Sequence, residues 1–422
     1  MRRFGRRVLA MAFLTVLAGC SPERQPSPGN EGEPWASMRA LGDGLHRAAD
    51  VGEGAPAAGD DRENAAGGRY FAEIALRQIE REVFSDRDFP SFRPVWPESG
   101  HLGLVNPDNL YESAMIHPGV EYLVRATRGS TADVVFQVYE KSPGVKGSLR
   151  GVSTLDLEDL VIAADGSFEI HVGPTPRPEN WLRTDEKSGT LLVRWSHSDW
   201  STERAGRIEI VRMGAQGVPS PDLDVARVAR AIRDAGDAVP DVGDFWIDFG
   251  GRVRLFTRAN RVGEPRSTGG QGLEGQVSAM GRFDLADDEA LVLTAPKTEA
   301  RYQGVQLGNF WFDALEWANR QTSLSGGQAH LGSDGRYHYV IAKEDPGVPN
   351  WLDTTGLREG LFFLRFQGLP GPLDEEDHPT AELVKVGDVR AHLPADTPSI
   401  NEEARREQLA ARQIQLQRRY GR

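Results

Sequence analysis

Two tripeptides carry side chains suited to holding a ligand: Asn180-Trp181-Leu182 and Asn350-Trp351-Leu352. An asparagine after a Pro-rich loop can bond its side-chain amide to nearby backbone and fix that loop. The indole beside it either plugs the end of a core, with its N–H on a carbonyl, or offers a flat face on which a sugar or sterol stacks. Downstream of each tripeptide an arginine, Arg194 or Arg365, stands among apolar residues. A guanidinium in such a run needs a partner, so it faces a carboxylate or carbonyl cluster, or clamps an anion. Gln137, Gln306 and Asn309 add amides in apolar stretches, either bonded to backbone or lining a pocket.

Glu344 and Asp345 precede Asn350 in its loop, and Asp353 follows it. Paired carboxylates across a cleft are what glycoside cleavage requires. However, 62 acids in one chain make adjacent pairs common by chance, and the first tripeptide has no equivalent pair. His197 with Asp199, or His330 with His338, would hold a metal only if the fold converged them; no ligand spacing stands out. There is no G-x-S-x-G elbow, phosphate-cradling glycine loop or zinc signature, so no cofactor and no metal is implied. Trp200, Trp311 and Trp317 read as core.

These residues recur in order. Asp165-Gly166, Asn180-Trp181-Leu182, Gly189 and Arg194 are echoed by Asp334-Gly335, Asn350-Trp351-Leu352, Gly360 and Arg365. The offset drifts only from 169 residues at Asp-Gly to 171 at the arginine, and Gln137 and Gln306 each lie 28 residues before their Asp-Gly. So small a drift marks an internal duplication.

The elements that would position them are strands. Val120–Arg125, Val134–Tyr139, Phe168–Val172, Thr190–Trp195 and Arg207–Met213 are β-branched or aromatic runs in the first half. Ala290–Thr294, Tyr302–Leu307, Arg336–Ile341 and Leu361–Phe366 serve the second half. Helical spacing predicts a short helix around Trp35–Leu45, weakened by Gly42 and Gly44, and a firmer one over Arg69–Phe84 with a Leu76, Ile79 and Val83 stripe. A third helix starts at Ser220-Pro221 and ends at Gly236, and a capping box at Ser399–Glu402 opens a last one that packs on the body.

A length of 422 residues exceeds what one core supports, so two domains are expected. The formal charge is −13, and −17 without residues 1–19, whose four arginines meet no acids (−13 − 4). Such a surface repels phosphate backbones and excludes nucleic acid as a partner. The N-terminus has a basic start, an apolar run from Val8 to Leu17 too short to span a bilayer, and Leu17-Ala18-Gly19-Cys20. These four residues resemble the lipobox of bacterial lipoproteins, which implies lipidation of Cys20, the only cysteine. Ser21 is compatible with release to the outer membrane.

The run of Asp-Gly, strand, Pro-rich loop, Asn-Trp-Leu, Gly and Arg-bearing strand resembles bacterial domain-of-unknown-function family 1214, a companion of family 1254. The second copy carries the resemblance in Tyr302–Trp311, Asp334-Gly335, Asp345-Pro346-Gly347, Asn350-Trp351-Leu352 and Arg365. It implies antiparallel β-sandwiches of jelly-roll type and no established reaction. The expected architecture is mainly β: two tandem β-sandwich domains at 69–218, with an N-terminal helix, and 281–396. Around them lie a signal peptide at 1–19, a flexible lipidated tether with a short helix at 20–68, a helical linker at 219–280 and a helix at 397–422. The expected function is an envelope-anchored binding or scaffolding module with aromatic clefts for carbohydrate, lipid or other apolar ligands. The alternative is a polysaccharide hydrolase or lyase using Glu344 or Asp345.

Overall fold

Alternating strands with one apolar face must close that face against a second sheet, and this chain does so twice. The computed structural model describes residues 33–141, 150–267 and 273–421. The first copy holds β1 (Arg93–Pro94), β2 (Asn109–Met115), β3 (Tyr122–Thr127), β4 (Asp133–Tyr139) and β5 (Gly151–Asp156). It continues with β6 (Ser167–Gly173), β7 (Trp181–Arg183), β8 (Thr190–Ser196) and β9 (Ile208–Arg212). These form two sheets, β1-β2-β8-β4-β5 and β7-β6-β3-β9.

The second copy comprises β10 (Arg261–Val262), β11 (Arg266–Ser267), β12 (Gln276–Asp284), β13 (Glu289–Pro296) and β14 (Tyr302–Gly308). After them come β15 (Ser323–Ser325), β16 (Arg336–Ala342), β17 (Trp351–Asp353), β18 (Glu359–Gln367) and β19 (Thr380–Lys385). Its sheets, β10-β12-β18-β14-β15 and β17-β16-β13-β19, repeat the first order strand for strand, with β11 added beside β12. Even the one parallel pairing recurs: His171 lies opposite Trp181, and Val340 opposite Trp351. Those residues are 169 and 170 apart (340 − 171, 351 − 181), the drift of the sequence repeat. Gly166 and Gly335 hold the matching turns with φ of 83° and 75°, which only glycine adopts without strain. The mainly β duplicated sandwich is therefore the architecture. Each copy has its own core, around Phe136, Trp195 and Ile170 in the first and Phe283, Tyr339 and Phe362 in the second.

The helices depart from expectation. α1 runs over Pro34–Glu53 and α2 over Asp61–Glu82, so much of the stretch read as a loose tether is helical. α2 buries Tyr70, Glu73, Ile74 and Gln78 and leaves Leu76 exposed, because Glu73 is drawn inward to accept the backbone N–H groups of His101 and Leu102. α3 spans Val225–Phe256, is N-capped by Asp224 and does not stop at Gly236. Pro240 lies inside it and cannot donate to the Gly236 carbonyl one turn back. A Cβ at Gly44 of α1 would sit 2.2 Å from that carbonyl oxygen, so α1 packs backbone to backbone where proline freed it. The glycine that weakens the sequence case for α1 is what lets it dock.

α1, α2 and α3 share one core with Phe310, Trp311, Phe312, Leu361 and Phe363 of the second copy. Thus α2 is covered by the second sandwich, and residues 219–280 are no simple linker: α3 packs on α1 and α2, and β12 already begins at Gln276. α4 (Glu402–Arg419) buries Arg405, Arg412 and Arg419, seven residues apart on one face. Arg412 donates to the Trp317 and Ser323 carbonyls of the second copy, Arg419 to the Pro107 carbonyl beside the first, and both flank the Trp200 ring. α4 therefore clasps the two sandwiches together. Among the described residues no helix is long and apolar enough to cross a membrane. Cys20 lies outside those residues.

Candidate functional site

The duplicated arginines converge. β8 and β18 end side by side, where the Ser196 hydroxyl donates to Gln367 Oε1 at 2.8 Å, and two residues back along each strand stand Arg194 and Arg365. Both line one cavity of about 270 Å³ between the sandwiches. They are only 7% and 8% exposed.

Their support is also duplicated. Arg194 donates from Nη1 to Gln137 Oε1 at 2.9 Å and from Nη2 to the Tyr139 hydroxyl at 2.7 Å. Arg365 donates from Nη1 to Gln306 Oε1 and from Nη2 to the Leu104 carbonyl at 2.7 Å. Gln306 is itself anchored by donating to the Val105 carbonyl at 3.0 Å. Every one of these acceptors is neutral. Among the described residues neither guanidinium has an ion pair; of the carboxylate or carbonyl cluster expected to face it, the carbonyl alternative is met at Arg365, and amide and hydroxyl oxygens serve Arg194. A guanidinium has five N–H donors, and Arg194 also bonds the Tyr111 hydroxyl.

The electrostatics follow. Burial pushes the Arg365 guanidinium down from its ordinary pKa; Tyr111, Tyr302 and Asp108 oppose this, and the like charge of Arg194 reinforces it. Burial raises the Tyr139 hydroxyl, so it stays a neutral partner for Arg194. Arg77, Arg81 and Arg93 lie on the same wall, where Glu80 is the one acid among the described lining residues. Arg77 and Arg81 are already balanced by Glu73 and Glu82, at 3.5 and 3.1 Å. Among the described residues the cations left without a carboxylate are the duplicated pair and Arg93, which donates to the Phe84 carbonyl at 2.5 Å. Trp246 of α3 completes the wall, 7% exposed, and its indole N–H donates to no acceptor among the described residues.

The chain is similar to the solved structure of an uncharacterized protein from Burkholderia cenocepacia, with a TM-score of 0.73 and 29% identity. That match covers 84% of this chain and 97% of the other, so the two share a fold over most of this chain. A Vibrio parahaemolyticus protein of solved structure is 11% identical over 83% of this chain and all of its own, at a TM-score of 0.42. No family model and no curated protein matches the chain.

The other candidates are held structurally. Asn180 and Asn350 each close a two-way bond across their loop: Asn180 with the N–H and carbonyl of Val161, both at 2.8 Å, and Asn350 with those of His330, both at 2.7 Å. Trp181 and Trp351 each donate their indole N–H at 3.0 Å to a carbonyl, Gly173 or Ala342. This is the loop-fixing alternative for both tripeptides, and Trp351 is further covered by the Arg405 guanidinium at 5.2 Å. Asp345 is taken up by Arg405 in a bidentate pair at 2.8 and 3.1 Å, and Glu344 is exposed next to it. Asn309 accepts the N–H groups of Trp311 and Asp313, making a turn. The structure thus joins Arg194, Arg365 and Gln306 with Gln137, and separates them from Asn180, Trp181, Asn350, Trp351, Asn309, Glu344 and Asp345.

Sequence reasoning missed Tyr111, Tyr139 and Trp246. Tyr111 and Tyr139 have no aromatic counterpart in the second copy, so the repeat did not flag them. Trp246 fell beyond the helix end read at Gly236, although Val239, Val242, Trp246, Ile247 and Val253 continue the buried stripe.

Proposed function

We propose that this chain is a binding module for a small anion, held between its two sandwiches by Arg194 and Arg365. The carrying observation is that two buried arginines from equivalent strand positions meet only neutral acceptors in one shared cavity. A desolvated guanidinium fork is suited to bidentate recognition of a carboxylate or phosphate, and its cost is offset when an anion arrives. Duplication supplies two such forks about one pseudo-symmetric seam.

Isothermal titration with acetate and with inorganic phosphate tests this. Wild type should bind at least one of them, and the Arg194→Met/Arg365→Met double variant should lose at least ~10-fold in affinity, since charge-assisted bonds contribute roughly 1.5–3 kcal/mol each. Equal affinity in both proteins refutes the site.

The address is part of the same proposal: the module hangs from a bacterial envelope membrane by lipid on Cys20, supported by the basic start, the apolar run and the Leu17–Cys20 lipobox likeness. Loss of fatty-acid labelling in Cys20→Ala is the expected result; unchanged labelling refutes it. The likeness to family 1214 stands on the same footing, resting on the repeated Asp-Gly, Asn-Trp-Leu and Arg positions.

A further inference from the structure

The two copies differ beside their arginines. In the first, Tyr111 pairs across the sheet with Arg194 and its ring covers the guanidinium at 5.8 Å. In the second, the residue opposite Arg365 at the same register is Ser278. Among the described residues no tyrosine stands at the matching place in the second copy. A second cavity of about 510 Å³ begins there, and Ser278 and Arg365 both line it. Its apolar walls are Trp246 and Phe249 from α3, Phe312 from the loop after β14, and Met280 and Phe363 from the sheet; the Glu264–Arg266 pair, at 3.0 Å, and Ser267 add a polar side. Trp246 stacks on Phe312 with ring centroids 5.4 Å apart and planes 7° from parallel. Phe363 lies 4.9 Å from the Arg365 guanidinium carbon, so one arginine joins an anion seat to an aromatic chamber. Gly103, Leu104, Trp246 and Arg365 line both cavities.

We infer that the ligand is an amphipathic monocarboxylate: its carboxylate sits between Arg365 and Arg194, and its apolar body lies in the chamber walled by Trp246, Phe249, Phe312 and Phe363. This rests on the anion-binding reading and deepens it by naming the ligand class. A bare anion would leave the chamber filled with water against aromatic walls, and a neutral apolar ligand would leave both guanidinium forks without a counter-charge. Only a molecule with both parts satisfies both cavities. Guanidinium forks take the two-oxygen edge of a carboxylate or of a phosphate ester alike, so decyl phosphate titrated beside decanoate decides the headgroup, and tighter binding of decyl phosphate overturns the carboxylate.

Titration calorimetry with acetate, decanoate and decanol on the full chain tests the inference. Decanoate should bind at least ~100-fold tighter than acetate, since each buried methylene contributes about 0.8 kcal/mol, or roughly fourfold. Decanol, without the charge, should bind at least ~10-fold more weakly than decanoate. Two variants locate the body. Phe363→Ala should lower decanoate affinity ~10-fold or more. Ser278→Tyr refills the chamber with the ring carried by the first copy and should collapse the decanoate-to-acetate ratio. Far-ultraviolet circular dichroism confirms that each variant is folded. Equal affinities for acetate and decanoate overturn the amphipathic ligand while leaving the anion seat standing. Decanol binding as tightly as decanoate, or no binding by any carboxylate, overturns both. A decanoate-to-acetate ratio unchanged in Ser278→Tyr places the apolar body elsewhere and refutes the chamber.

Discussion

Replacing Arg365 by methionine separates a ligand-binding arginine from a structural one. As a structural ion, Arg365 would behave like Arg301, which crosses between the sandwiches to pair with Asp133 at 3.1 Å and with Asp156 and Glu158. Removing one partner of a buried pair costs about 3–5 kcal/mol, because a buried charge is left uncompensated. Arg365→Met leaves no charge behind, since its partners are Gln306 and the Leu104 carbonyl. The loss is two hydrogen bonds to a charged donor, roughly 3–6 kcal/mol together. Against this stands relief of the guanidinium's desolvation, also several kcal/mol, plus the apolar packing of a similar-length side chain. The two nearly cancel, so Arg365→Met should unfold within about 1.5 kcal/mol of wild type, while Arg301→Met loses about 3–5. Urea unfolding followed by tryptophan fluorescence measures both. Arg194→Met should behave like Arg365→Met. The double variant should depart from additivity by about 0.5–1 kcal/mol, because either single change already relieves their repulsion. A carboxylate at one hundred times its dissociation constant should add about 2.7 kcal/mol to wild type and nothing to the double variant. Should Arg365→Met lose as much as Arg301→Met, Arg365 is a structural ion and the binding argument fails.

Three other outcomes follow from the same structure. Gly44→Val should destabilise by at least about 1–3 kcal/mol by driving a side chain into the Gly236 carbonyl, whereas Gly42→Ala, with open space around it, should stabilise by about 0.5–1; urea midpoints compare them. Burial raises the Asp133 carboxyl to about 6 despite Arg301, so the folded state binds a proton the unfolded chain has released, and stability falls as pH rises from about 4 to about 6. Asp133→Asn should flatten that slope, up to about 3 kcal/mol across the window, in unfolding curves measured between pH 4 and 7. Asn350→Ala should cost about 1–3 kcal/mol by orphaning the His330 N–H and carbonyl, and Asn180→Ala a similar amount because alanine is strained at its φ of 42°, with neither changing carboxylate affinity by calorimetry.

The fold class was legible because strand alternation and turn glycines are local. The repeat supplied β3, β4, β6 and β8 with their counterparts β13, β14, β16 and β18, whereas the polar central strands β2 and β12 and the short β5, β7, β15 and β17 went unread. The helices were less legible. Gly42, Gly44, Gly236 and Pro240 argue against long helices by propensity, but tertiary packing overrode them: α1 meets α3 where Gly44 faces the carbonyl freed by Pro240. The site was half legible. Repeated spacing between the copies picked out Arg194, Arg365, Gln137 and Gln306, which the structure brings together, and also Asn180-Trp181 and Asn350-Trp351, whose side chains fasten their loops, since duplication preserves both kinds of contact. What no repeat can reveal is where the copies differ. Ser278 in place of Tyr111, and the approach of α3 to the second sheet, create the open chamber, and both depend on contacts between distant parts of the chain.

Crystals grown with 4-bromobenzoate provide the most direct measurement, because bromine can be located by its anomalous scattering. The account predicts carboxylate density between Arg194 and Arg365, within hydrogen-bond distance of both forks, and a bromine peak among Trp246, Phe312 and Phe363. A bromine peak at the Trp351 or Trp181 loops, or a carboxylate that meets neither arginine, would contradict it.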